Sequence, residues 1–222
     1  MTAKDQGRIP DIEQRLPVIV TTLSVILLLA FMPSRIRMFP QWVFYAWSAM
    51  ALFPMIAVGI ATNKDLWLKI EHIVVLLFCI LCEISICVAL RGLFNSIVYR
   101  PAEVSGIQLL ASSVAVWVTN VLAFTLAYWQ IDRNGPLGLA QHAAGKPDWH
   151  FPSQDFPVEA GSGWRPVFVD YLFLGFSTST AFSMTEAVPL TPRAKVLMMI
   201  QSLVSLVTIV IVGARAINIL GT

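Results

Sequence analysis

Long apolar runs separated by short polar connections constrain this 222-residue chain more than any other feature. An α-helix needs about 20 apolar residues to cross the hydrocarbon core of a bilayer, because each residue advances about 1.5 Å. Four runs are long enough to predict membrane-spanning helices, 42–61, 70–90, 106–131 and 193–220, and a fifth, 17–32, is barely long enough. A sixth run, 166–176, is too short to span. The sequence therefore predicts an all-α polytopic membrane protein with about five transmembrane helices.

Composition excludes the other broad classes of protein. Hydrophobic residues make up 57% of the chain and charged residues 13%, whereas a soluble domain has about 45–50% and about 25%. The three cysteines all lie in one apolar run, so they cannot form a disulfide framework. A formal net charge of +2 without a basic cluster predicts no nucleic-acid partner. The expected partners are the lipid bilayer and small inorganic ions.

Basic residues in the connections set the expected orientation. Two follow the first helix and two follow the third: Arg35, Arg37, Arg91 and Arg100. The positive-inside rule places these connections in the cytoplasm, with the N-terminus and the loop 132–165 outside. Basic residues before the first helix favour the opposite orientation, which stays open. Tyr128 and Trp129 close the fourth run, as aromatic residues at a membrane interface do. We expect a multi-pass protein of a bacterial cell (inner or plasma) membrane.

The short run 166–176 leads directly into a hydroxyl-rich stretch, 177–186. Irregular backbone at membrane depth is tolerated only inside protein or against a water-filled cavity. The pattern therefore predicts a re-entrant helix followed by a hairpin, placed before the last transmembrane helix. The alternative is an amphipathic helix that lies on the membrane surface.

Residues 180–189 read Thr-Ala-Phe-Ser-Met-Thr-Glu-Ala-Val-Pro and stand between this short helix and the last long run. The stretch resembles the filter of tetrameric, pore-loop cation channels, where the potassium-channel pattern is Thr-Thr-Val-Gly-Tyr-Gly-Asp-x-Val-Pro. Thr180, Val188 and Pro189 match that pattern, and Glu186 replaces its acidic residue. The chain is also similar to uncharacterised bacterial membrane proteins that have a channel-like C-terminal half.

The resemblance implies a homotetramer, because each subunit of such a channel supplies one pore helix and one lining helix. The chain then divides into a tail, 1–16, three peripheral helices, 17–105, and a pore-like domain, 106–222. Within that domain we expect an outer helix, an extracellular loop, a pore helix, a filter-like segment and an inner helix: 106–131, 132–165, 166–176, 177–186 and 193–220.

The filter-like residues implied by the resemblance are Thr178, Thr180, Ala181, Phe182, Ser183, Met184, Thr185 and Glu186. Ser183 and Thr185 stand where the potassium channels have glycine. Glycine adopts backbone conformations that other residues avoid, and a potassium filter uses them to present its carbonyl groups. A potassium-selective filter is therefore not expected, although the hydroxyl groups can line a path for other cations.

The last helix carries a polar stripe. Gln201, Ser205, Thr208 and Arg215 recur at helical spacing and fall within about 80° of one another around the axis. In a channel the first three would line the central cavity, and Arg215 would lie near its cytoplasmic mouth as a possible gate. The alternative is a helix–helix interface, where Ser and Thr at this spacing are common.

Glu83 lies near the middle of the third run, and His72 precedes it by 11 residues on nearly the same face. A charge at the centre of a bilayer costs at least about 2.5–3.5 kcal/mol, so Glu83 should be protonated, paired or in contact with water. One interpretation makes Glu83 and His72 a proton or ion sensor. The other makes Glu83 a neutral carboxyl that binds Asn120 or Ser113 of the fourth helix.

These patterns together predict an ion channel of the pore-loop class, conducting cations without potassium selectivity. Two alternatives stay open: a non-conducting sensor or accessory subunit with a channel-like scaffold, and a proton-coupled carrier that uses Glu83. An enzyme is not expected, because no nucleophile–base pair, phosphate-binding loop or paired-histidine motif occurs. No cofactor and no metal ion are predicted.

Overall fold

The structure is a computed structural model that describes residues 9–31, 40–60, 64–99, 106–132, 147–155, 164–180 and 187–220. Of these residues, 88% are helical. The helices are α1 (Ile9–Phe31), α2 (Gln41–Ile60), α3 (Lys64–Tyr99), α4 (Gly106–Ile131), α5 (Phe168–Thr180) and α6 (Pro192–Leu220). Two short strands, β1 (Trp149–His150) and β2 (Val188–Pro189), pair antiparallel, and a 3₁₀ turn spans Pro152–Gln154.

Three of these helices contain stretches long and apolar enough to cross a membrane: Leu66–Asn95 in α3, Leu110–Ile131 in α4 and Pro192–Gly213 in α6. A shorter apolar stretch, Leu16–Ala30, lies in α1. These helices support an all-α membrane protein. That α1 and α2 also cross the membrane stays a prediction.

Several helices extend beyond their predicted limits. α1 begins at Ile9, so part of the predicted tail 1–16 is helical and Pro17 lies inside the helix. α3 extends past the predicted 70–90 at both ends. Apolar periodicity marks the part of a helix that is shielded from water, and polar helix-forming residues continue the same helix beyond it. The predicted ranges for α2, α4 and α6 agree with the structure to within one residue.

The short helix also differs from its prediction. It was expected at 166–176, but α5 continues to Thr180, so Thr178 and Thr180 lie in its last turn rather than in an extended filter. Their hydroxyl groups, like that of Ser177, donate to main-chain carbonyls three or four residues earlier. Such hydrogen bonds allow Ser and Thr to continue a helix.

α4 lies at the centre of the fold, in contact with α1, α3, α5 and α6. In its membrane-length stretch 61% of the residues are buried inside the chain, compared with 28% in the corresponding stretch of α6. α4 is therefore surrounded largely by protein, which shields its polar side chains from lipid.

Two clusters of buried apolar side chains hold the helices together. The larger includes Cys82 of α3 and Ala123 of α4, and Met198 of α6 packs against it. The smaller joins α3, α4 and α6 through residues that include Ile86, Val116 and Val204. In the sequence, Glu83 lies between Cys82 of the first cluster and Ile86 of the second, and Asn120 lies between Val116 of the second and Ala123 of the first.

Asp132, Asp148 and Arg193, together with the paired strands β1 and β2, form what we call the cap. Asp132, at the end of α4, accepts hydrogen bonds from the Asp148 main-chain N–H and from the Tyr171 hydroxyl, both at 2.6 Å. The buried Asp148 carboxylate accepts from Arg193 Nε and Nη2, at 2.6 and 2.5 Å, and from Thr191 Oγ1. These contacts fix the starts of α5 and α6 to the end of α4.

Candidate functional site

Gln201 of α6 binds α5 and α4 at the same time. Its Nε2 donates to the Gly175 carbonyl and to Ser179 Oγ, both at 2.7 Å. Its Oε1 accepts from the Tyr128 hydroxyl at 2.5 Å. Gln201 is fully buried. The side-chain amide therefore uses its donor and its acceptor to hold the C-terminal half of α5 against both long helices.

Further hydrogen bonds reinforce this junction. Asn120 Nδ2 donates to Ser205 Oγ at 2.8 Å and to the Gln201 carbonyl at 3.3 Å. Ser202 Oγ donates to the Thr178 carbonyl at 3.2 Å. The Asn120 Oδ1 atom is buried without a hydrogen-bond partner among the described residues, so the network is not fully satisfied. We call this set of contacts among α4, α5 and α6 the Gln201 junction.

Close packing accompanies the hydrogen bonds. A Cβ atom on Gly175 would lie 2.5 Å from Thr125 Oγ1 and 3.2 Å from the Val121 carbonyl oxygen. Only glycine lets α5 approach α4 this closely. Directly after Gly175, the ring of Phe176 meets that of Trp117 of α4 edge to face, with centroids 5.8 Å apart.

The residues predicted to line a cavity lie on the buried face of α6. Gln201, Ser205 and Thr208 are 0%, 1% and 1% exposed. Within one chain their stripe faces α4 and α5, as the helix–helix alternative anticipates. The exposed face of α6 is apolar and includes Met199, Leu203, Leu206 and Val210.

Thr208 and Thr180 are nevertheless brought together. Both line a groove of about 260 Å³ between α4 and α6, together with Trp117 and Ile209. The groove lies at the C-terminal end of α5, directly before the remaining predicted filter residues. Ala181, Phe182, Ser183, Met184, Thr185 and Glu186 lie outside the described residues, as does the Arg215 side chain.

Glu83 and His72 are far apart in α3. Their separation of 11 residues corresponds to about 16 Å along the helix. His72 Nδ1 lies 3.2 Å from Gln130 Oε1 of α4. Both Glu83 carboxyl oxygens are buried, and neither has a hydrogen-bond partner among the described residues. The amide nitrogen of Asn120, a predicted partner of Glu83, is occupied by Ser205 and Gln201.

The start of α5 carries a titratable group outside the long helices. Asp170 Oδ2 accepts a hydrogen bond from the Val167 main-chain N–H at 2.7 Å, which closes the first turn. Partial burial raises the pKa of Asp170, and the hydrogen bond opposes that shift because it stabilises the charged form.

Comparison with known proteins adds no relative. No family model matches the chain, and neither a curated protein nor a solved structure matches it. The function must therefore be argued from the site itself.

Sequence reasoning missed three contributors to the Gln201 junction: Tyr128, Gly175 and Ser179. Tyr128 was interpreted as an interfacial aromatic residue, yet it is fully buried, with its ring centroid 4.8 Å from that of Trp149 in the cap. Spacing within one helix shows which residues share a face, but it does not show which helix that face contacts. No pattern in the sequence pairs these residues with Gln201.

Proposed function

We propose that the chain is a pore-loop membrane protein, in which α5 and residues 181–186 form a re-entrant segment. Four copies would surround a pore that conducts cations without potassium selectivity. The observation that carries the proposal is the Gln201 junction. It holds the end of α5 beside Gln201 of α6. Gln201 lies nine residues, or about 14 Å along the helix axis, after Pro192, the first residue of α6. That level lies near the middle of the stretch of α6 that is long enough to span a membrane.

The dimensions of α5 support this proposal. Its 13 residues extend about 20 Å, which is less than the roughly 30 Å of a hydrocarbon core. Its first turn is tied to the end of α4 by Tyr171 and Asp132. After residue 186 the chain is again beside the cap, where β2 pairs with β1 and the Leu190 N–H donates to the Asp148 carbonyl at 2.8 Å. A segment that enters and leaves on one side is typical of a re-entrant loop.

The exposed face of α6 supports assembly with further copies. α6 is the least buried of the three membrane-length helices, and the large side chains exposed on it from Val196 to Val210 are apolar. One re-entrant segment cannot enclose a symmetric pore, so the proposal requires an oligomer. We propose a homotetramer in a cell membrane, with the cap on the outer side. Native mass spectrometry in nanodiscs tests this first: a tetramer supports the pore, and a strict monomer contradicts it.

The same apolar face favours a second candidate, a non-conducting sensor or accessory subunit. If Met199, Leu203 and Leu206 line the axis of an assembly, they form a hydrophobic constriction, and such constrictions close by excluding water. The two candidates differ in a measurable flux. A tetramer without cation current at any voltage or pH would favour the second.

Replacing Ser183 by tryptophan is expected to abolish current in planar bilayers. Ser183 stands where the potassium-channel filter, which this segment resembles, has a glycine. An indole ring at that position would occlude a narrow path. Single-channel recording of purified protein measures the effect. Leu77→Trp, on the exposed face of α3, is the control and should leave conductance unchanged. Undiminished current in the Ser183→Trp protein would reject this path.

Replacing Glu186 by glutamine is expected to lower the preference for cations. Four carboxylates around one mouth raise the local concentration of cations, and a neutral amide removes that field. The reversal potential under a salt gradient measures the change and should move toward zero. Glu159→Gln, in the loop 132–165, is the control for a carboxylate elsewhere in the chain. An unaltered reversal potential in Glu186→Gln would contradict the proposed position of Glu186 at the mouth of the pore.

A further inference from the structure

The groove between α4 and α6 has walls that present carbon atoms rather than polar groups. The hydroxyl of Thr208 donates to the Val204 carbonyl at 2.8 Å, and that of Thr180 donates to the Ser177 carbonyl at 3.1 Å. The ring of Trp117 lines the groove, but its Nε1 atom is buried. The polar atoms of these three side chains are therefore turned to their own helices or hidden, and the groove offers them to no ligand.

The charges near the groove are as few as its polar groups. α4 contains no charged residue, and α6 contains none between Lys195 and Arg215. A charged or polar ligand would lose its hydration inside the groove without gaining a partner, whereas an apolar ligand gains by leaving water or by close packing. The part of the ligand that enters the groove is therefore uncharged and apolar.

The size of the groove limits what can fill it. An α-helix with its side chains is about 10–12 Å across, and a stable protein interface buries about 800 Å² on each partner. A groove of about 260 Å³ is too small for either. If a methylene group takes roughly the volume of one water molecule, ~30 Å³, the groove holds about eight or nine of them. A single alkyl chain is an occupant of the right width and length.

The groove lies at the end of α6 that is remote from the cap. Thr208 and Val212, which both line it, come 16 and 20 residues after Pro192, or about 24 and 30 Å along the axis. The membrane-length stretch of α6 ends at Gly213. The groove therefore occupies the depth at which the lipid chains of the leaflet opposite the cap lie.

A basic residue stands just beyond the groove. Arg215 follows Val212 by three residues, so Thr208, Val212 and Arg215 are four and three residues apart along α6. It is 23 residues, or about 34 Å, from Pro192, which is the level of the lipid headgroups when the hydrocarbon core is about 30 Å thick. Arginine pairs well with phosphate groups, and one basic residue at a membrane surface favours anionic lipid by about 1 kcal/mol.

We infer that the groove between α4 and α6 is a binding site for one anionic phospholipid of the leaflet opposite the cap. One acyl chain fills the groove, and Arg215 attracts the phosphate of the headgroup. Thr180, the last residue of α5, is part of the groove wall, so the bound chain supports the end of α5 directly before residues 181–186.

This inference rests on the proposed function in one respect, namely that α6 crosses the bilayer with the cap on one side. It does not require ion conduction or four subunits, because lipid is counted for each chain whatever the oligomer. A tetramer that conducts without retaining lipid, and a protein that retains lipid without conducting, overturn different proposals.

Native mass spectrometry of delipidated protein in mild detergent, titrated with phosphatidylglycerol or phosphatidylcholine, tests the site. Val212→Trp fills the groove and should lower the affinity for phosphatidylglycerol severalfold. Val20→Trp, at an exposed valine of α1, is the matched control and should bind as wild type does. Val114→Trp fills the groove from α4, where the valine is 51% exposed, and should act as Val212→Trp does. Undiminished binding in either groove variant would overturn the site.

The headgroup preference has its own comparison. Wild type should bind phosphatidylglycerol about fivefold more tightly than phosphatidylcholine, the ratio that corresponds to one basic residue at the surface. Arg215→Gln should bind the two lipids equally, whereas Lys195→Gln, at the cap end of α6, should keep the preference. Equal binding of both lipids by wild type would overturn the role of Arg215.

Hydrogen–deuterium exchange of the peptide 171–180 tests the support of α5. Adding phosphatidylglycerol to the delipidated wild-type protein should slow exchange of this peptide severalfold. The same addition should leave Val212→Trp unchanged and should act on Val20→Trp as on wild type. Retained lipid without any change in exchange of the wild-type peptide would overturn the contact between the bound chain and the end of α5.

Discussion

Replacing Gly175 by alanine is expected to push α5 away from α4 and to lower the free energy of unfolding by about 1–3 kcal/mol, the usual cost of overpacking. The added methyl group would lie 2.5 Å from Thr125 Oγ1 and 3.2 Å from the Val121 carbonyl oxygen. The carbonyl belongs to helical backbone and cannot rotate away. Gln201 would then meet Ser179 and the residue 175 carbonyl at altered distances, so the Gln201 junction should loosen together with the packing.

Thermal unfolding in one detergent, followed by near-ultraviolet circular dichroism, measures this change. Gly213→Ala is the matched control, because nothing lies within 4 Å of a Cβ atom at Gly213. Alanine there should be neutral or slightly stabilising, since it forms helix better than glycine by about 1 kcal/mol. Thr125→Ala should recover part of the loss in the double variant by removing the nearest clashing atom. Equal stability of the two alanine variants would show that α5 does not approach α4 as described.

Apolar run length predicted the bounds of α2, α4 and α6 to within one residue, but not those of α1 and α3, which polar residues extend. α4 was expected at 106–131 and is observed over Gly106–Ile131. α5 was less predictable, because its last turn consists of Ser and Thr, which favour a helix or a loop according to local hydrogen bonds. The structure resolves that choice through hydroxyl-to-carbonyl bonds such as that from Thr178 to Leu174.

The polar stripe of α6 illustrates a different limit. The spacing of Gln201, Ser205 and Thr208 correctly placed them on one face, and all three are buried together. Whether that face meets water in a cavity or polar partners on another helix depends on residues distant in sequence. Tyr128 and Asn120 supply those partners, from 73 and 81–85 positions away. No local pattern carries such information.

The pairing of Asp148 with Arg193 was harder still to predict from the sequence. Asp148 and Arg193 are 45 positions apart with α5 between them, and nothing in the intervening sequence indicates that they pair. A charged residue in a polar loop is usually solvated, yet the Asp148 side chain is completely buried. The pairing follows only once β1 and β2 meet and bring the two residues to the same edge of the cap.

Replacing Arg193 by methionine is expected to destabilise the protein more than loss of any other single cation on α6. Asp148 would remain a buried carboxylate with Thr191 as its one remaining side-chain donor in the described cap. Removing one member of a buried ion pair, so that the other charge stays buried without a partner, lowers the free energy of unfolding by about 3–5 kcal/mol. Because 58% of the Arg193 side chain is exposed and solvent screens part of the interaction, we expect about 2–3 kcal/mol.

Chemical denaturation in detergent micelles measures this loss. Lys195→Met removes an exposed cation two residues away and should change stability by less than about 0.5 kcal/mol. In the Asp148→Asn/Arg193→Met double variant the orphaned charge is gone, so the double variant should be more stable than the sum of the two single changes predicts. The Arg193→Met deficit should also persist at high salt, because buried pairs are screened much less than exposed ones. Strictly additive losses, or an Arg193→Met effect no larger than that of Lys195→Met, would mean that the ion pair does not hold the cap closed over α5 and α6.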